Sequence, residues 1–86
     1  MTEVTYRVET VCALLRLSPA TLRRYERHGL VRPRRSGRAS LYSEVELRRL
    51  RRIRRLTVDL GVNLAGVEVV LRLVDRIEGQ EEGEVP

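Results

Sequence analysis

Val8, Val11, Cys12 and Leu15 recur at the spacing of one helical face. They predict a first helix that ends before Leu17, entered from a short extended piece at Thr5–Arg7. Cys12 lies on that stripe and reads as a small buried hydrophobe. Ser18-Pro19 is a strong start signal, a hydroxyl that can cap free N–H groups followed by proline at the first helical position. The second helix then runs from Pro19 to His28. Gly29 stops it and Pro33 lies beyond. Leu22 and Tyr25 are positioned to anchor this helix against the first. So tight a turn between two short helices predicts a helix-turn-helix. Between Val31 and Leu41 the chain reads Arg-Pro-Arg-Arg-Ser-Gly-Arg-Ala-Ser, a basic turn with short apolar flanks. It predicts a small two-stranded wing with Ser36-Gly37 near its tip.

Ser43-Glu44-Val45-Glu46 has the form of a capping box, in which Ser43 caps the backbone and Glu46 reaches back. It opens a third helix that runs to about Leu60, with Gly61 as its stop. Leu47, Leu50, Ile53, Thr57 and Leu60 share one side of that helix, and Arg48, Arg51, Arg52 and Arg55 share the other. Asn63 caps a fourth helix from Leu64 to Glu78, with Leu64, Val67, Leu71 and Val74 as its inner stripe. Val70, Leu73 and Ile77 form a second apolar strip, more than one core needs. It is a candidate dimer or partner contact, and packing on the third helix is the alternative. The fold class expected is mainly α, a winged helix-turn-helix with about four helices and a small two-stranded wing. Residues 1–78 form the domain, and 79–86 an acidic tail expected to be disordered.

Length and composition narrow the chemistry. Eighty-six residues allow one small domain. A single cysteine excludes an internal disulfide and a cysteine-cluster zinc site. The stretch from Leu60 to Leu71 is broken by Gly61, Asn63, Gly66 and Glu68 and is too short to cross a bilayer. No signal-peptide layout opens the chain, so a cytoplasmic location is expected. All 17 basic residues are arginine. Residues 1–58 hold 15 Arg against 5 Glu, whereas residues 59–86 hold 2 Arg against 7 acids. A basic body joined to an acidic end is the footprint of a nucleic-acid binder. No carboxylate pair, phosphate-cradling glycine loop or metal-ligand cluster stands out. The only histidine, His28, sits in the last turn of the second helix, where it complements the helix dipole. Neither catalysis nor a cofactor is expected.

A helix-turn-helix works because its second helix fits the major groove and its N-terminus offers N–H groups to phosphate. Ser18, Thr21 and Arg24 lie on one side of that helix, and Arg23 and Arg27 form a neighbouring row. Arg34, Arg35 and Arg38 give the wing its own positive charge. The run Ser18-Pro-Ala-Thr-Leu-Arg-Arg-Tyr-Glu-Arg-His-Gly-Leu30, preceded by Tyr6-Arg-Val and followed by Tyr42-Ser-Glu-Val-Glu-Leu, resembles the MerR-type winged helix-turn-helix family. Leu60-Gly-Val-Asn-Leu-Ala-Gly-Val67 is similar to its heat-shock repressor (HspR-like) branch and to the CbpM-like chaperone modulators. The resemblance implies that Thr21, Arg23, Arg24 and Tyr25 read or grip DNA and that the wing around Arg34–Arg38 holds flanking phosphate. Ser18, Arg27 and Tyr42 complete the candidate DNA-binding set. The family's metal-sensing cysteines have no counterpart here, so no sensor role is expected. Two functions follow. One is a DNA-binding regulator, a repressor of stress or chaperone genes that acts as a homodimer. The other is an adaptor that binds a J-domain protein or Hsp70 (DnaJ or DnaK).

Overall fold

The computed structural model describes residues 3–83, with side chains through residue 79. The chain runs β1 (Thr5–Arg7), α1 (Val8–Leu15), α2 (Pro19–Arg27), β2 (Arg34–Ser36), β3 (Ala39–Ser43), α3 (Glu44–Arg54), a π-helical turn (Arg55–Asp59) and α4 (Leu64–Gly83).

α1 ends at Arg16, whose φ of 55° is left-handed, and the Leu17 N–H closes the turn on the Cys12 carbonyl at 3.1 Å. α2 starts as its sequence dictates: the Ser18 hydroxyl accepts the Thr21 N–H at 3.1 Å, and Pro19 occupies the first position. Gly29, with φ +72°, reverses the chain after α2.

The hairpin β2–β3 closes through a two-residue loop at Gly37-Arg38, with Ser36 paired to Ala39. Only Gly37 of those two residues has a positive φ, the pattern of a type II′ turn that matches strand twist. The sheet is larger than the expected two-stranded wing. β1 pairs antiparallel with the other edge of β3, matching Tyr6 with Tyr42, so the order is β1-β3-β2. Residues Thr5–Arg7 have no internal signal for that partner, which lies more than thirty positions away.

The Ser43 hydroxyl caps α3 by accepting the Glu46 N–H at 3.2 Å. The second half of the expected capping box does not form. Ser43 is also the last residue of β3, paired with Thr5, and the Glu46 carboxylate instead accepts the Arg32 N–H at 2.9 Å. The apolar stripe of α3 holds through Leu47, Leu50 and Ile53, all buried. It fails at Leu60, which is 63% exposed. The cause is the π turn, in which the Leu60 N–H donates to the Arg55 carbonyl five residues back. The extra residue turns later side chains off the stripe.

Asn63 caps α4 by accepting the Gly66 N–H at 2.8 Å. α4 buries Val67 and Leu71 in the core, with Leu64 packed against it. It runs five residues past the boundary expected at Glu78, since Gln80, Glu81 and Glu82 suit a helix already nucleated. Residues 84–86 of the expected tail lie outside the described residues. Arg49 ties three segments together: its Nε donates to the Leu30 carbonyl at 2.6 Å and its guanidinium meets Asp75 at 2.9 Å. No described helix is long and apolar enough to cross a membrane.

Candidate nucleic-acid interface

α2 is held from inside by two side chains. Leu22 and Tyr25 are buried, while Ser18, Arg23, Arg24 and Arg27 are exposed and Thr21 is half-buried. The Ser18 hydroxyl donates to Thr21 Oγ1 at 2.9 Å. Thr21 therefore keeps its own hydroxyl proton free for an outside acceptor.

Tyr25 is not part of the outward face. It is 3% exposed, and its hydroxyl lies 2.8 Å from Thr57 Oγ1 in the π turn. Since the Thr57 hydroxyl also reaches the Ile53 carbonyl at 2.9 Å, Tyr25 is the natural donor. Tyr25 grips the end of α3, not a ligand.

Tyr42 needs the same correction. It is 1% exposed and donates to Glu26 Oε2 at 2.9 Å. Burial first, and then that carboxylate, push its pKa well above the ordinary 10.0, so it stays a neutral donor. Both tyrosines position α2 from behind. Both bodies are large and apolar, so the core takes them and their hydroxyls find partners at its edge.

The cations of α2 and the hairpin remain outside. Arg34 and Arg35 each meet one acid, Glu3 at 3.4 Å and Glu26 at 3.7 Å, with their own side chains about 70% exposed. Such exposed pairs are weak and yield to a stronger anion. Arg23, Arg24, Arg27 and Arg38 have no carboxylate within ion-pair distance among the described residues. The start of α1, α2 and the hairpin enclose an open cleft of about 300 Å³ that Arg23, Arg35 and Arg38 line.

Arg7, at the end of β1, lines the same cleft and was missed by the sequence reading. Its signal is absent from the local pattern because only the pairing of Arg7 with Leu41 brings β1 beside the hairpin. A second, wider concavity of about 700 Å³ lies between the end of α1 and the outer face of α3. Arg16, Arg48, Arg51, Arg52 and Arg55 line it beside Leu14. The helical wheel grouped Arg48, Arg51, Arg52 and Arg55, but the turn residue Arg16 joins them only in the folded chain. Val70 is half-buried on α4, while Leu73 and Ile77 are 51% and 56% exposed, with Val69 beside them at 53%. Cys12 packs partly buried against the core, and burial raises its thiol pKa. Among the described residues no group of three His, Cys, Asp or Glu is placed to hold a metal ion.

A basic helix after a tight turn, flanked by a basic hairpin, defines a winged helix-turn-helix protein. The chain belongs to the MerR HTH family of regulatory proteins, which it matches over residues 6–73. That family and fold are those of DNA-binding transcriptional regulators. It is 39% identical over 73 residues to the heat shock protein HspR of Streptomyces coelicolor, covering 84% of this chain and 48% of that protein. The chain thus spans about half the length of that curated relative. Among solved structures it is similar to HiNmlR, a MerR family regulator lacking the sensor domain, bound to promoter DNA. That likeness has a TM-score of 0.72 at 20% identity, over 92% of this chain and 61% of that one.

Proposed function

We propose that this chain is a sequence-specific DNA-binding repressor of stress or chaperone genes, working in the cytoplasm. α2 enters the major groove, with Thr21 and Arg24 at base edges and Ser18, Arg23 and Arg27 at its margins. The hairpin's Arg34, Arg35 and Arg38 grip backbone phosphate. The observation that carries this reading is the set of exposed arginines on α2 and at the hairpin tip that have no ion-pair partner among the described residues, beside a cleft with the same charge. A relative named for heat shock supports the class of target gene.

One such module covers little duplex, so two copies on a two-fold site are expected. The exposed Leu73–Ile77 strip of α4, with Val70 at its edge, is the surface we assign to that contact. The same strip favours a second reading, an adaptor that docks a J-domain protein or Hsp70 there.

Fluorescence anisotropy with the gene's own upstream duplex, titrated with salt and nonspecific competitor, separates the two. Selective, salt-sensitive binding supports the regulator. No duplex binding, together with retention of a purified J-domain protein, supports the adaptor. Arg38→Ala should weaken all duplexes alike and lower the salt slope by about 1. An unchanged slope removes the hairpin from the interface.

A further inference from the structure

We infer that the cleft between the start of α1, α2 and the hairpin is a slot for a single backbone phosphodiester. Arg7 is its unrecognised ligand, and Glu26 is a resident carboxylate that the phosphate must displace. The inference rests on the DNA-binding reading and adds to it a residue and a competition.

The slot is defined by charge and shape together. Four arginines line it, Arg7, Arg23, Arg35 and Arg38, against two acids, Glu9 and Glu26. They come from three separate elements, so they border one cleft from several sides instead of forming a stripe along one helix. Arg7, Arg23 and Arg38 are exposed and have no carboxylate within ion-pair distance among the described residues. Guanidinium groups from several directions suit the oxygens of one phosphate, which accept in more than one plane. At about 300 Å³ the cleft is open enough to admit a phosphodiester along a strand.

Glu26 makes the slot conditional. Its two oxygens are divided, Oε1 facing Arg35 at 3.7 Å and Oε2 accepting the Tyr42 hydroxyl at 2.9 Å. The Tyr42 bond fixes the carboxylate at the cleft wall, where its side chain is only 23% exposed. Arg35 is 68% exposed and free to swing, so a phosphate competes with Glu26 for it without moving the backbone. Glu26 thereby lowers affinity for any duplex that places a phosphate in the slot, because its pair with Arg35 must be given up first.

The test is fluorescence anisotropy of the full chain on a 20-base-pair duplex across a salt series. The proteins compared are wild type, Arg7→Ala, Arg7→Lys, Glu26→Gln and, as a control on α4 outside the cleft, Arg76→Ala. Arg7→Ala should flatten the slope of log K against log salt, by up to roughly 0.9, one phosphate's worth. Arg7→Lys should restore it, and Arg76→Ala should leave it unchanged. Glu26→Gln keeps an acceptor for Tyr42 while removing the charge, and should bind about two- to five-fold tighter.

A scan of single neutral methylphosphonates along the duplex then locates the contact. One position should weaken wild type by more than it weakens Arg7→Ala. If wild type binds with salt dependence and Arg7→Ala has the same slope, the slot is overturned while the DNA-binding reading stands. Glu26→Gln binding no tighter than wild type overturns the competition. If wild type binds no duplex at all, both readings fall.

Discussion

In α2, Arg23, Arg24 and Arg27 have no ion-pair partner among the described residues. In α4 four of the five charges with described side chains are already engaged: Asp75 meets Arg49 at 2.9 Å, Glu78 meets Arg52 at 3.8 Å and Glu68 meets Arg72 at 2.9 Å. Apolar residues divide the opposite way. α2 buries both of its large ones, Leu22 and Tyr25, whereas α4 buries Val67 and Leu71 but leaves Val69, Leu73 and Ile77 half or more exposed. α2 is therefore complete as a packed element and open as a charged one. α4 is largely neutralised and incomplete as a packed element. Unspent charge suits a polyanion and uncovered apolar surface suits a protein, so the two helices offer surfaces of different kinds.

The largest effect tests the packing side of this contrast. Leu22→Ala should cost about 2–5 kcal/mol in urea denaturation, because Leu22 is 1% exposed. Leu73→Ala should change the stability of the single chain by no more than about 0.5 kcal/mol. A larger loss at Leu73 that grows with protein concentration would show a second copy covering α4.

The charge side comes next. Arg24→Ala should reduce the preference for cognate over scrambled duplex by about 1–3 kcal/mol. Arg72→Ala, whose guanidinium already meets Glu68, should leave that preference alone. Equal losses from the two in competition anisotropy would erase the distinction between the helices.

Tyr25→Phe should destabilise the fold by about 1 kcal/mol in the same urea assay, through loss of the bond to Thr57. An unchanged midpoint would mean that this bond does not hold α2 to the end of α3. The smallest effect is alkaline. The Tyr42 pKa is raised in the folded state, so folded protein keeps that proton above pH 10.0 while unfolded chain loses it. Stability from this group is intact below the ordinary tyrosine value and declines as pH rises beyond it. Tyr42→Phe should flatten that decline in urea melts between neutral and alkaline buffer.

Much of the molecule was legible locally. Ser18-Pro19 and Asn63 mark helix starts because capping chemistry acts within three residues, and both caps form as read. Gly29 and Gly37 mark reversals because each needs a positive φ. The exposed arginines of α2 and the hairpin could be named because arginine is seldom buried without a partner. Tyr25 and Tyr42 were misread for the complementary reason. A tyrosine suits a core and an interface equally, and only the positions of Thr57 and Glu26 decide between them. Leu60 was misplaced because a wheel of constant period cannot register one inserted residue in the π turn.

Sequence alone determined the order and caps of the helices, the tight turn before α2, the basic first two-thirds and the acidic remainder. These are set by short-range sterics, by hydrogen bonds within a few residues and by formal charge. Tertiary structure decided which arginines converge, that β1 joins the sheet and brings Arg7 to the cleft, and that Glu26 stands between Arg35 and Tyr42. Those outcomes depend on contacts between segments far apart in the chain, where packing of the whole core sets the distances and no local pattern encodes them.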